Sequence, residues 1–247
     1  MNSLSVDVHG RVARLGLRSA GEPLERPFLE ALLAACDEIA RRDDVSVVLL
    51  TGNASAFAAE WSLELLREAA ELPLRGCGAL ADLPQPVVVA LSGEVRSAGL
   101  ELALAADLRL AAESSSLALA ELVGCRLPAA GSLQRLARLA GRSWAAWLLL
   151  TGDPVDAQRA LQIGLVNAVY PAERLDTEAE ALVERIASRG PLAVRYAKEA
   201  LRQGLEMPLA QGLQHELNLA ALLQTVADRA EGVAAFLEKR EPHFRGE

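Results

Sequence analysis

Sulfur and imidazole are scarce in this 247-residue chain, which has three cysteines, two methionines and three histidines. Cys36, Cys77 and Cys125 are odd in number, scattered and without C-x-x-C pairing, which excludes a disulfide framework and gives no thiolate metal site. Each is read as a small buried residue. His9, His215 and His243 are isolated, so the ligand spacing of a zinc or iron site is missing. Aromatics make up only 4%, basic clusters are lacking and the net charge is −8, which argues against a nucleic-acid partner that would need a Lys/Arg stripe. No apolar run approaches the roughly 18 residues that span a bilayer. The opening MNSLSVDVHGRV carries neither a basic leader nor an apolar signal core, so the expected location is the cytoplasm.

What the chain has in quantity is apolar residues, 51% of the total, enough to bury one substantial core. Leu4 to Val8 and Val12 to Leu17 alternate around His9-Gly10 as a hairpin. Phe28, Leu32, Cys36 and Ile39 share one face of a helix over 25–42. VSVVLL at 45–50 reads as a buried strand. A helix over 61–70 and a less regular stretch to Leu83 precede a second buried strand, Val87 to Leu91. A turn and a helix containing Glu101 to Ala106 follow, then short strands at 107–111 and 116–119. Pro128 opens a helix over 129–139 that Gly141 ends, and 144–150, 156–163 and 165–169 read as helix, helix and strand. From Leu175 onward only helical periodicity remains. The break Ser188-Arg189-Gly190-Pro191 divides an α/β core, residues 1–190, from a helical region, 191–247, whose apolar faces pack on its own core or on neighbouring subunits.

The stretch from Pro86 to Leu136 carries the candidate chemistry. It holds the small-residue turn Ser97-Ala98-Gly99 and two glutamates, Glu101 and Glu121, twenty positions apart. Each glutamate is flanked by leucine, alanine or valine. A carboxylate in an apolar surround is costly unless paired or used, and its pKa rises toward the range useful for proton transfer. Two such groups beside a turn of free backbone N–H groups would make an acid/base pair next to an anion-binding site.

Five segments, in order, resemble the enoyl-CoA hydratase/isomerase (crotonase) family: TGNASAFAA at 51–59, SGEVRSAGLELALAADLRLA, AELVGCRLPAAGSLQRL, LTGDPVDAQRALQIGLVNAVYP at 150–171 and EGVAAFLEKREPHF. The resemblance covers nearly the whole chain. It implies an α/β crotonase-type spiral of repeated ββα units with C-terminal helices that build a homotrimer or a dimer of trimers. It also implies hydration of an enoyl-CoA in fatty acid metabolism, with coenzyme A present only as part of the substrate and no separate cofactor. In that reading the backbone N–H groups of Ala59 and Ala98 hold the enolate oxygen. Glu121 exchanges the α-carbon proton, and Glu101 orients the water. Ala56, Trp61, Gly99 and Lys239 match positions that contact substrate or CoA.

The chain departs from the family pattern at Glu60-Trp61-Ser62, where Gly-Ala-Asp or Gly-Gly-Asp is usual. A positive φ at Glu60 would cost about 1–2 kcal/mol. Trp61 stands where a small residue is expected, and either narrows the acyl tunnel or packs on the core. Ser97-Ala98-Gly99 replaces three glycines, and RSAGEPLERPFL replaces an Asn-Arg-Pro segment. Two alternatives accompany the hydratase reading. One is an isomerase or decarboxylase acting on a CoA or carrier-protein thioester. The other is an inactive acyl-CoA-binding or assembly subunit.

Overall fold

The alternating and continuous apolar runs assemble into two sheets wound by helices. The computed structural model describes residues 4–18, 22–53, 56–58 and 60–247. β1 (Leu4–His9) and β2 (Val12–Leu17) form the antiparallel hairpin, with Gly10 at φ +58° in the turn. Helix α1 (Arg26–Ala40) follows, opened by Pro27 and burying Phe28, Leu32, Cys36 and Ile39 as its spacing predicts. Then come β3 (Val47–Thr51), β4 (Ala56–Ala58), α2 (Leu63–Glu68) and α3 (Leu72–Ala81). The stretch read as irregular is therefore a regular helix, with Pro73 in its first turn, where the ring needs no N–H partner.

β5 (Val87–Leu91) leads into β6 (Glu94–Arg96), a strand too short for its period to show in the sequence, and into α4 (Ala98–Ala105). β7 (Leu108–Ala112) and β8 (Ser116–Ala118) precede a single 3-10 turn at Glu121–Gly124. Helix α5 (Ser132–Thr151) starts after Gly131, not at Pro128, and runs on through Gly141, whose φ of 79° and ψ of 157° make a kink and not the expected stop. β9 (Val155–Asp156), α6 (Ala157–Gln162), β10 (Ala168–Tyr170), α7 (Ala172–Ala187), α8 (Pro191–Gly204), α9 (Leu209–Leu223) and α10 (Ala227–Glu238) complete the order.

One sheet has the order β1-β2-β3-β5-β7-β10, parallel from β2 onward; the other has the order β4-β6-β8-β9. β3, β5 and β7 of the first sheet thus pass into β4, β6 and β8 of the second, a ββ unit repeated along a spiral. The first sheet is covered on both faces, which is why its central strands are apolar throughout. Val48, Leu50, Val87 and Val89 pack with α1, α3 and α4 on one side, while Val47, Leu49, Val88 and Ala90 meet Leu175, Ala179 and Val183 of α7 on the other.

Cys36 and Cys77 are buried as expected, but Cys125 is exposed, at φ 57° just past the 3-10 turn. It belongs to the exposed run 123–125, which faces solvent as a whole. α8 is tied to the sheet by Lys198, whose Nζ lies 2.7 Å from Oδ2 of Asp107 and donates to the carbonyl of Gln85 at 3.1 Å. No helix among the described residues is long and apolar enough to cross a membrane.

Candidate active site

The site forms where two neighbouring ββ units turn. β4, β6 and β8 run parallel, with Val95 opposite both Ala58 and Leu117, so the chain ends after 58, 96 and 118 lie side by side. The N–H of Ser97 donates to the carbonyl of Ala118 at 3.0 Å, which fixes the turn beside the segment leading to Glu121. A Cβ on Gly99 would stand 2.6 Å from the carbonyl oxygen of Ala58, so only glycine lets α4 approach β4 this closely. Ala98 is the first residue of α4, and a helix leaves its first N–H groups without intrahelical acceptors. Its N–H therefore opens the dipole-positive end of a helix. Ala59, the other expected oxyanion donor, lies outside the described residues.

Ser97 sits at φ 39° and ψ −104°, a region that disfavours a residue with a side chain. The strain expected at Glu60 is thus found at Ser97. Among the described non-glycine residues only Ser97, Cys125 and Lys239 have positive φ. The Glu60 side chain is exposed, with Oε2 3.4 Å from Nη2 of Arg126. Backbone bonds from Leu24 N–H to the Glu60 carbonyl (2.7 Å) and from Ser62 N–H to the Leu24 carbonyl (2.9 Å) hold the departing segment in place. Ser62 caps α2 by accepting from the N–H of Leu65 at 3.2 Å.

Of the two alternatives for Trp61, packing on the core is the one observed. It is 4% exposed and packs on the core, and it also enters the site. Its indole Nε1–H donates to Oε2 of Glu101 at 2.6 Å. Oε1 of Glu101 accepts from the N–H of Ala130 at 2.8 Å and from the hydroxyl of Ser132 at 3.0 Å. Glu101 is fully buried on a helix that is buried on every side. Three donors thus satisfy a carboxylate that the sequence left without partners. Ser132 and the Ala130 N–H carried no sequence signal as ligands of Glu101; they arrive at it through the turn before α5.

Glu121 is the opposite case. It is 6% exposed, and among the described residues neither carboxylate oxygen has a hydrogen-bond partner. Burial pushes its pKa above the ordinary carboxylate value, and the negative charge of Glu101 adds to the rise; Ser97 and Arg126 oppose it. A small cavity of ≈ 10 Å³, lined among others by Trp61, Ser97, Glu121, Arg126 and Ala129, opens beside it. Ala56 lies on β4 and Gly99 on α4 at this junction. Lys239 does not join it within one chain: it is exposed and caps α10 in a left-handed conformation. No group of three or more His, Cys, Asp or Glu among the described residues is placed to hold a metal ion.

A further ion anchors the site from behind. Arg109, on β7, donates to the carbonyls of Ala106 (2.6 Å) and Ala103 (3.3 Å) at the C-terminal end of α4 and to that of Leu165 (2.9 Å). Burial lowers its pKa to about 10, which leaves it protonated at neutral pH. A cation at a helix C-terminus complements the dipole whose other end faces the Ser97 turn. Its position on a strand gave no sequence hint of this role.

The class of protein is defined by a ββα spiral that holds a buried glutamate, unpartnered among the described residues, beside a helix-opening turn. A family model described as Enoyl-CoA hydratase/isomerase matches residues 18–247. The chain is 37% identical over 257 residues to 2,3-dehydroadipyl-CoA hydratase of Escherichia coli (strain K12), covering all of both chains. A solved enoyl-CoA hydratase from Bacillus anthracis superposes with a TM-score of 0.95 at 38% identity, again over all of both chains. Pseudomonas aeruginosa DspI superposes with a TM-score of 0.94 at 31% identity, over 99% of this chain and 97% of that one. The chain belongs to the enoyl-CoA hydratase/isomerase family and has its crotonase fold. It is an enzyme of the hydratase, or lyase, kind.

Proposed function

We propose that this protein adds water across the 2,3-double bond of an enoyl-CoA, with Glu121 as the acid/base. The observation that carries this reading is the Glu121 carboxylate, buried beside the N-terminus of α4 with neither oxygen partnered among the described residues. Water attacks the β-carbon while Glu121 takes one of its protons, and the π electrons move onto the thioester oxygen. The Ala98 N–H, together with that of Ala59, stabilises this enolate oxygen. Glu121 then returns a proton to the α-carbon as the enolate collapses, which regenerates the carboxylate. Glu101 is the partner carboxylate whose charge keeps Glu121 basic. The step balances with water and enoyl thioester alone, so we assign no metal or redox cofactor, and CoA enters as part of the substrate. Lys239 is assigned to the CoA moiety as a point charge.

The helical region supports a homotrimer or dimer of trimers: Leu201 on α8, Leu205 just past its end, Leu209, Leu213 and Leu217 on α9 and Phe236 on α10 are exposed in the single chain. A cytoplasmic location fits the reading. The test is loss of crotonyl-CoA absorbance on adding protein, with 3-hydroxybutyryl-CoA as the product. Because three donors occupy Glu101, a second reading is double-bond isomerisation with Glu121 moving a proton by itself; 3-enoyl-CoA turned over with no hydration of crotonyl-CoA would replace the first reading by this one.

A further inference from the structure

We propose that Ser97 is a catalytic residue of this site, its hydroxyl holding the added water together with Glu121. The inference rests on the hydratase reading and narrows it. The cavity at Ser97 and Glu121 has ≈ 10 Å³, room for about one water, and a buried water needs two to four polar partners. Glu101 does not line this cavity; its oxygens accept from Trp61, Ala130 and Ser132. Glu121 offers two buried oxygens with no partner among the described residues. Ser97 lines the same cavity and is 4% exposed.

The backbone at Ser97 is held on both sides: its N–H donates to Ala118 at 3.0 Å and its carbonyl accepts from Glu101 N–H at 2.9 Å. The side chain of a residue fixed this way at φ 39° has little choice of direction. A glycine would take the same conformation without strain, so the hydroxyl is present at a cost in stability, as is common for groups retained in a site. The hydroxyl also favours the ionised form of Glu121. In the step itself the water transfers one proton to Glu121 and keeps the other, which it donates in a hydrogen bond to Ser97 Oγ, while an oxygen lone pair forms the bond to the β-carbon. Ser97 keeps its own proton throughout.

The experiment compares wild type, Ser97→Gly and Ser97→Ala in crotonyl-CoA hydration and thermal unfolding. Ser97→Gly is expected to raise Tm by a few degrees yet lower kcat by roughly tenfold or more, as loss of a positioned hydrogen bond does, with KM nearly unchanged and the acid limb of the pH profile moved upward. Ser97→Ala shows the same loss of kcat without the gain in Tm. A structural role for Ser97 would leave Ser97→Gly at least as active as wild type, and that result with an active wild type overturns the Ser97 assignment while sparing the hydratase reading. An inactive wild type overturns both.

Discussion

The indole N–H of Trp61 reaches Glu101 at 2.6 Å although the two residues lie 40 positions apart. It engages one of the two carboxylates and leaves the other, Glu121, facing the cavity. Trp61→Phe keeps the ring and removes the donor. A lost hydrogen bond to a buried charge costs about 1.5–3 kcal/mol, and each kcal/mol moves Tm by about 2–4 °C for a domain of this size. Thermal unfolding of Trp61→Phe should therefore show a drop of several degrees, and a Tm equal to wild type would show that the bond contributes nothing.

Glu121→Gln should lower crotonyl-CoA hydration on the order of a hundredfold or more while raising Tm at neutral pH. The rise follows from sign. Burial raises the folded pKa of Glu121, so the ionised form is disfavoured in the fold and its penalty is present above that pKa and fades as pH falls through it. The Tm difference between variant and wild type should narrow toward acid, read by unfolding at several pH values. A variant less stable than wild type at neutral pH would contradict this.

The acid limb of kcat/KM should lie above the ordinary carboxylate range, because Glu121 must be ionised to accept the proton of water. Arg126 favours that ionised form. Arg126→Ala should move the limb further up, by less in high salt because the side chain is partly exposed. An unmoved limb would separate Arg126 from the acid/base.

Arg109→Met should destabilise the fold on the order of 3 kcal/mol by stranding the buried carbonyls of Ala103, Ala106 and Leu165. Arg109→Lys should recover only part, since one ammonium cannot reach three acceptors in the geometry of a guanidinium. Denaturant midpoints measure both, and full rescue by lysine would refute the fork geometry.

Leu205→Glu with Leu209→Glu should yield monomers by light scattering, because both leucines are exposed in the single chain on faces that an assembly would cover. An assembly unchanged in mass would move the interface elsewhere.

Much of this molecule was legible from its residues. The long buried strands announce themselves because a strand covered on both faces must be apolar throughout, as at Val47–Leu50 and Val87–Leu91. Three-residue strands such as β6 are too short to show a period, and α3 was hidden by Pro73, which also reads as a helix breaker. Gly141 looked like a helix end because a left-handed glycine both ends and kinks helices, and only packing separates the two.

The sequence by itself determined the long buried strands, the turn at Ser97-Ala98-Gly99 and the presence of two glutamates in apolar surroundings, since these follow from period, residue size and local order along the chain, whereas the spiral of ββα units was implied by the family resemblance. The tertiary structure decided which glutamate is occupied and which is open. That depends on donors from Trp61, Ala130 and Ser132, which are distant in sequence from Glu101 and meet it only when the loop after β4 and the start of α5 close over α4. The same closure leaves Glu121 without partners among the described residues in a low-dielectric pocket, and desolvation there, not residue type, is the largest influence on its affinity for a proton.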